Sequence, residues 1–306
     1  MGAGNVVSER MTILETIPKQ SQIMAPLMVA REAWSEVDEA LYGPQDLFAV
    51  ETAEAEKLRL RAIQHSLQHH FEKNRFYRTL CRERGFRVED VKTVEDLARV
   101  PLVPDTIFKG CRSPSEFVQW LRTFAPEDVQ YPVVRDNSSY DSVMDELDES
   151  GITVTYSSGT SGRFTFVPRD KLTWKRACYS FSAETSHMLP GYFENLNSAE
   201  NCNILLLMPH PGRTHVFLGR AAAVGFDLFP HAKIHAAIDR SITTETIRIS
   251  QGHTRGFKER MLARIIRRAG KRTAEKADAR MIELVKNLGR EGRGGVLSGP
   301  PFWVSR

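Results

Sequence analysis

Between Ala53 and Arg84, apolar residues recur at spacings of mostly three or four, through Leu58, Ala62, Ile63, Leu67, Phe71 and Leu80, with charged residues in the gaps. This places one apolar stripe on a helical surface, so the segment predicts one long helix or two in series, ended by Gly85. Short helical turns are expected at Val88–Val91 and at Thr93–Asp96, the second opened by Thr93 as an N-cap. A second long helix is predicted from Gly256 to Leu288, with one stripe through Met261, Leu262, Ile265 and Ile266 and another through Met281, Ile282, Leu284, Val285 and Leu288. The middle of the chain changes period. Ile152–Tyr156 and Phe164–Val167 are β-branched and aromatic runs that read as strands around a small-residue loop, with a helix following from Lys171 to Met188. Asn203–Met208 is almost continuously apolar and closed by Pro209, as expected for a strand buried on both faces. An Ala-rich stretch, Arg220–Val224, leads to another short run at Gly225–Phe229. Strands alternating with helices predict an α/β fold.

Residues up to about Pro26 are poorly periodic and read as a loose arm or short docking segment. The stretch from about Pro126 to Ser150 is acidic and turn-rich and reads as an exposed connection. Two parts follow: a mainly helical region over 1–150, and an α/β unit over 151–306. No repeat of 20 to 50 residues is visible.

Composition narrows the class. Over 306 residues, 41% hydrophobic and 26% charged side chains describe a globular chain and exclude disordered and collagenous ones. The 42 basic and 38 acidic residues are interspersed, so nothing points to nucleic acid. The longest aliphatic run, Ile204–Met208, is far short of the roughly 20 residues of a membrane span, and no secretory or myristoylation signal opens the chain. The expected location is cytoplasmic. Cys81, Cys111, Cys178 and Cys202 form no CxxC pair and read as buried free thiols.

The candidate chemistry lies in Ser157-Ser158-Gly159-Thr160-Ser161-Gly162. Six consecutive Gly, Ser and Thr residues arise by chance at odds on the order of one in ten thousand per window. Two glycines let the backbone turn tightly and aim several N–H groups into one concavity, and four hydroxyls add donors, which suits a polyphosphate. Arg163 and Arg169 could supply charge beside it. A plain hairpin turn uses the same residue types, so both readings stand at this point. A Walker A loop fails, since Gly159 and Gly162 are separated by two residues and no Lys follows; G-x-G-x-x-G and G-x-S-x-G are also absent.

The segment Tyr156–Asp170 resembles the adenylate-forming (acyl-activating) superfamily, looking most like the acyl-protein synthetases of luminescence systems and next like phenylacetate-CoA ligases. An upstream run, Asn74-Arg-Phe-Tyr77, Gly85, Val88–Asp90, Val94–Leu97 and Val100–Lys109, is similar to the segment preceding the loop in those families, so the match covers about Phe71 to Asp170. The resemblance implies that ATP and Mg2+ are used to convert a carboxylic acid, with a fatty acid first in order, to an acyl-adenylate that passes to a thiol of a protein cysteine or of coenzyme A. The residues it implies for nucleotide binding are Ser157 to Gly162, Arg163, Thr165 and Arg169; no catalytic base is singled out. An aryl acid-CoA ligase is the enzyme alternative. A noncatalytic relative that binds nucleotide, or serves only as a partner subunit, is the alternative from another class. This sequence departs from the family at Phe164-Thr165, where many members carry Pro-Lys, and it has no convincing match to the later motifs. Thr244-Glu245 reads better as a helix start than as one of them. The resemblance therefore implies the front portion of a larger enzyme, with sequence expected beyond Arg306.

Three lesser features complete the reading. His65, His69 and His70, and likewise His231 and His235, lack a third ligand in pattern and read as solvated rather than metal-binding. Arg260, Arg264, Arg267, Arg268, Lys271 and Arg272 make the second long helix the most basic part of the chain, read first as a solvated face and second as an anion-binding patch. Pro209–His215 follows the buried strand at the end where α/β sheets place ligands.

Overall fold

The computed structural model describes residues 20–44, 49–104, 107, 111, 113–124, 130–135, 137–157, 164–188, 203–209, 214–229, 232–238, 243–250, 256–293 and 295–298. The chain forms two compact units, Met28–Arg176 and Ala177–Arg306 with Met1–Leu27. The first contains α2 (Glu36–Tyr42), α3 (Thr52–Lys73), α4 (Arg75–Glu83), α5 (Pro114–Phe124), α6 (Tyr140–Glu149) and the hairpin β1 (Ile152–Ser157) with β2 (Thr165–Asp170). Helix α7 (Lys171–Met188) crosses the division. The second unit holds α1 (Gln20–Met24), β3 (Asn203–Pro209), α8 (Phe217–Asp227), β4 (Lys233–Ile238), α9 (Thr244–Ser250), α10 (Gly256–Arg290) and β5 (Val296–Ser298). The fold is α/β, rich in helix with small sheets.

In the first unit the expected helical stretch is two helices. Asn74 breaks them: its Oδ1 accepts from Tyr77 N at 3.0 Å as the N-cap of α4, while its Nδ2 donates to Phe124 O at 3.2 Å. Gly85, at φ 63°, ends α4 with Phe86 N donating to Cys81 O at 2.9 Å, the left-handed stop that glycine provides without strain. Tyr77, Cys81, Val88, Val91 and Leu67 are buried together. The upstream run thus builds a small core of its own.

The segment 126–150 is not an open connection throughout. Tyr140–Glu149 is helix α6, capped by the reciprocal Ser139–Ser142 pair, with Tyr140, Val143, Met144 and Leu147 buried. Its acidic residues alternate with this stripe at helical spacing, and the stripe decides the conformation. The hairpin stays with these helices because its aromatic side packs on them: Phe166 lies 4.6 Å from Phe117 and 5.5 Å from Tyr140, centroid to centroid. The division into compact units falls at Arg176–Ala177, which leaves the hairpin with these helices.

In the second unit β3 is the central strand of a parallel sheet in the order β4-β3-β5. Ile204, Leu205 and Leu206 are buried, as the continuous apolar run predicts. Arg220–Phe229 gives no strand: Arg220–Asp227 lies in α8, whose Gly219, Ala221, Ala222 and Gly225 are buried. The strand that follows is Lys233–Ile238, with a mixed pattern the sequence reading passed over. A cluster of Leu205, Ala237, Ala277, Met281 and Leu288 seats α10 on the sheet. Gly295 precedes β5 where an added Cβ would sit 3.0 Å from Asn203 O and 2.9 Å from Leu205 Cδ1, a close approach to β3 that a larger residue would have to push apart.

Candidate functional site: the hairpin around the Ser/Gly/Thr loop

Strand β1 pairs with β2 in antiparallel register from Ile152↔Asp170 to Ser157↔Thr165. Ser158, Gly159, Thr160, Ser161, Gly162 and Arg163 therefore lie in the hairpin connection; their structure is outside the described residues. Ser157, Thr165 and Arg169 are described, and the pleat decides where they go. Directly paired residues share a face and successive residues alternate. Thr153, Thr155, Ser157, Thr165, Val167 and Arg169 occupy one face; Ile152, Val154, Tyr156, Phe166, Pro168 and Asp170 occupy the other. The second face is the core side, with Val154, Tyr156 and Phe166 at 0 to 2% exposure. The first carries four hydroxyls and one guanidinium and no carboxylate.

Thr155 is the residue on this face that sequence reasoning missed. It is buried at 1% exposure, and its Oγ1 accepts a hydrogen bond from Arg169 Nη1 at 2.8 Å. Arg169 pairs with Thr153, so this bond reaches two pairs toward the loop, to the next pair on the same face. The signal was present in the sequence as Thr153 and Thr155 at spacing two, the strand period that sends both to one side.

Phe164, the departure from the family pattern, has a structural explanation. Its ring lies 4.7 Å from Tyr156 and 5.9 Å from Phe166, joining the aromatic cluster that continues through Phe117 to Trp120. Aromatic pairs of this kind contribute about 0.5–1.5 kcal/mol each beyond area burial. The residue that closes the loop is thus anchored by packing.

A second location lies at the carboxyl end of the parallel sheet, where Pro209 is registered with Ile238. The residues 210–213 fall outside the described set. His215 is buried, with Nδ1 3.2 Å from Arg220 Nη1; as the guanidinium only donates, the ring nitrogen accepts. Beside Ala237 and Ile238 is a cavity of 320 Å³ lined by Arg272, Lys276 and Arg280, one turn apart along α10. Arg272, expected first on a solvated face and second in an anion-binding patch, shares a stripe at positions i, i+4 and i+8 with Lys276 and Arg280, which that expectation left out. His235 on β4, 3.3 Å from Asn203 Oδ1, has its pKa pushed down by burial and by the positive charges of Arg280 and Lys233.

The remaining candidates are structural. Cys81 and Cys178 are fully buried, and Cys111, half-buried, has its thiol pushed up to about 11 by burial and by Glu116. A buried Cys178 is not placed to accept an acyl group from outside. His65 pairs with Glu36 at 2.6 Å. Glu245 pairs with Arg248 at 2.8 Å, and Thr243 caps α9 by accepting from Thr246 N at 3.1 Å, so Thr244-Glu245 serves as a helix start. Among the described residues no helix is long and apolar enough to cross a membrane.

No protein-family model matches the chain, and no curated protein matches it. Among solved structures it is similar to 2-hydroxyisobutyryl-CoA ligase in complex with 2-HIB-AMP and CoA in the thioesterification state, at TM-score 0.40 and 19% identity over 66% of this chain and 35% of that one. An open conformation of the same ligase, also with 2-HIB-AMP and CoA, gives TM-score 0.41 and 18% identity over 73% of this chain and 43% of that one. The chain spans less than half the length of either structure. At these values the likeness assigns no residue of this chain a role.

Proposed function

We propose that this chain takes part in ATP-dependent activation of a carboxylic acid to an acyl-adenylate, with transfer of the acyl group to a thiol. The observation that carries the reading is the hairpin: the Ser/Gly/Thr sequence connects two paired strands whose common face carries four hydroxyls and Arg169 and no carboxylate. This donor set fits an anionic polyphosphate, for which fixed N–H, O–H and guanidinium groups stabilise charge without proton transfer. Ser157, Ser158, Gly159, Thr160, Ser161, Gly162, Arg163, Thr165 and Arg169 are the proposed binding residues, with Thr155 orienting Arg169. Mg2+ would arrive with the nucleotide, because this face offers it no carboxylate of its own. A fatty acid as substrate, and a protein cysteine or coenzyme A as acceptor, rest on the resemblance of Tyr156–Asp170 alone.

The test is exchange of labelled pyrophosphate into ATP across a panel of fatty and aromatic acids, comparing the wild type with Gly159→Val. Exchange that depends on one acid and is lost in the variant is expected. Absence of exchange with every acid overturns the enzyme reading and leaves a nucleotide-binding or partner-subunit role for the loop.

A further inference from the structure

The first half of α10 displays an apolar ridge where a globular protein would present polar groups. Phe257 is 77% exposed, Ile265 59%, Met261 50% and Leu262 43%. Successive helical residues turn by about 100°, so Phe257, Met261 and Ile265 follow one another along a single ridge, with Leu262 at its edge. The opposite side is fixed to the protein. Ala263 is 4% exposed, and the Glu259 carboxylate takes two hydrogen bonds from Arg248, at 2.8 and 3.2 Å. The ridge consequently faces outward by construction. Lys258, Arg260, Arg264, Arg268, Lys271 and Arg272 are all exposed around it, and Glu259, already paired, is the single acidic residue from Gly256 to Arg272.

We propose that this face of α10 docks on an anionic lipid surface, its ridge entering the headgroup boundary and its cations meeting the lipid phosphates. Charge complementarity selects this occupant. A symmetric second copy would bring the same cations against themselves, since a two-fold interface is self-complementary. Nucleic acid would engage the cations but leave Phe257 and Ile265 in water. A basic helix carrying an apolar ridge is the form that lies in a membrane interface without spanning it. The sequence reading of a solvated face accounts for the arginines and not for the ridge.

Flotation of the full chain with vesicles tests the proposal, using pure phosphatidylcholine and phosphatidylcholine with about 30% phosphatidylglycerol. Binding to the anionic vesicles alone is expected, falling at least about 10-fold when NaCl rises from about 0.05 M to about 0.5 M. The double variants F257S/I265S and R264Q/R268Q should each lower it by a similar factor, while circular dichroism stays that of the wild type because these side chains lie outside the core. Equal binding to both vesicle types, no binding to either, or anionic binding unmoved by both variants would overturn it. So would a concentration-dependent dimer in sedimentation that F257S/I265S dissolves, which would assign the ridge to a second copy.

Discussion

Arg176 and Asp38 show how much one pair of side chains can hold. Asp38 has no exposed surface, and Arg176 grips its carboxylate from Nε at 2.8 Å and from Nη2, while Ser35 N donates to it at 2.9 Å. Burial works against the charge on Asp38, but these donors outweigh it and hold its pKa below the ordinary carboxylate value. A depressed folded pKa means the stabilisation is full above the unfolded value, near 4, and is lost as pH falls through the folded value. Asp38→Asn should therefore cost about 3 kcal/mol at pH 7, leaving the half-buried Arg176 short of its charge partner. Its urea stability should also decline less steeply than the wild type's below about pH 4. At this scale the sequence was informative about polar residues of fixed local role and silent about distant partners. Gly85 announces a stop by identity and ends α4, whereas Thr93, expected to cap its turn, donates to Asp96 instead, and the short helix Glu95–Arg99 starts from Val94 without a side-chain cap. Nothing in the sequence joins Asp38 to Arg176, because their separation closes only in the folded chain.

Among elements, those with a strong period were legible: α10 was expected over Gly256–Leu288 and runs Gly256–Arg290, and β3 was expected over Asn203–Met208 and ends one residue later. Elements whose surface chemistry masks the stripe were lost, as α6 was among its acidic residues and β4 behind Lys233 and His235. The hairpin was legible as strand, loop and strand, but its division into a hydroxyl face and an aromatic face depends on register, which only pairing fixes. The break between α3 and α4 offers a prediction here. Asn74→Ala removes the cap on Tyr77 N and the link to Phe124 O, and should cost about 1–2 kcal/mol, read as a lower urea midpoint with unchanged slope. The loss should fall on the core around Tyr77 and Cys81 and appear as faster hydrogen exchange in α4.

For the whole molecule, the chain leaves one compact unit, forms the other and returns to the first, since Met1–Leu27 groups with Ala177–Arg306 while Met28–Arg176 stands between them in sequence. Two units with separate cores should respond separately to core damage. Leu206 is fully buried in β3, and Leu206→Ala should cost about 3 kcal/mol. Calorimetry should show one transition lowered by roughly 10 °C in Leu206→Ala and a different one lowered in Asp38→Asn. A single transition shifted by both would mean that the units unfold together. Composition could give a chain of about two units but not this interleaving, which is a property of contacts.

The aromatic cluster under the hairpin has an optical consequence. The Trp120 indole lies 19° from parallel with Phe117, 6.0 Å away, and the rings continue through Phe166 to Phe164 at the closing end of the Ser/Gly/Thr loop. Chromophores held at fixed mutual angles absorb left and right circularly polarised light unequally, so Trp120 should contribute a sharp near-ultraviolet dichroic band. Any event that tilts Phe164 would alter that band without a label, giving the loop a spectroscopic reporter built from its own supporting rings.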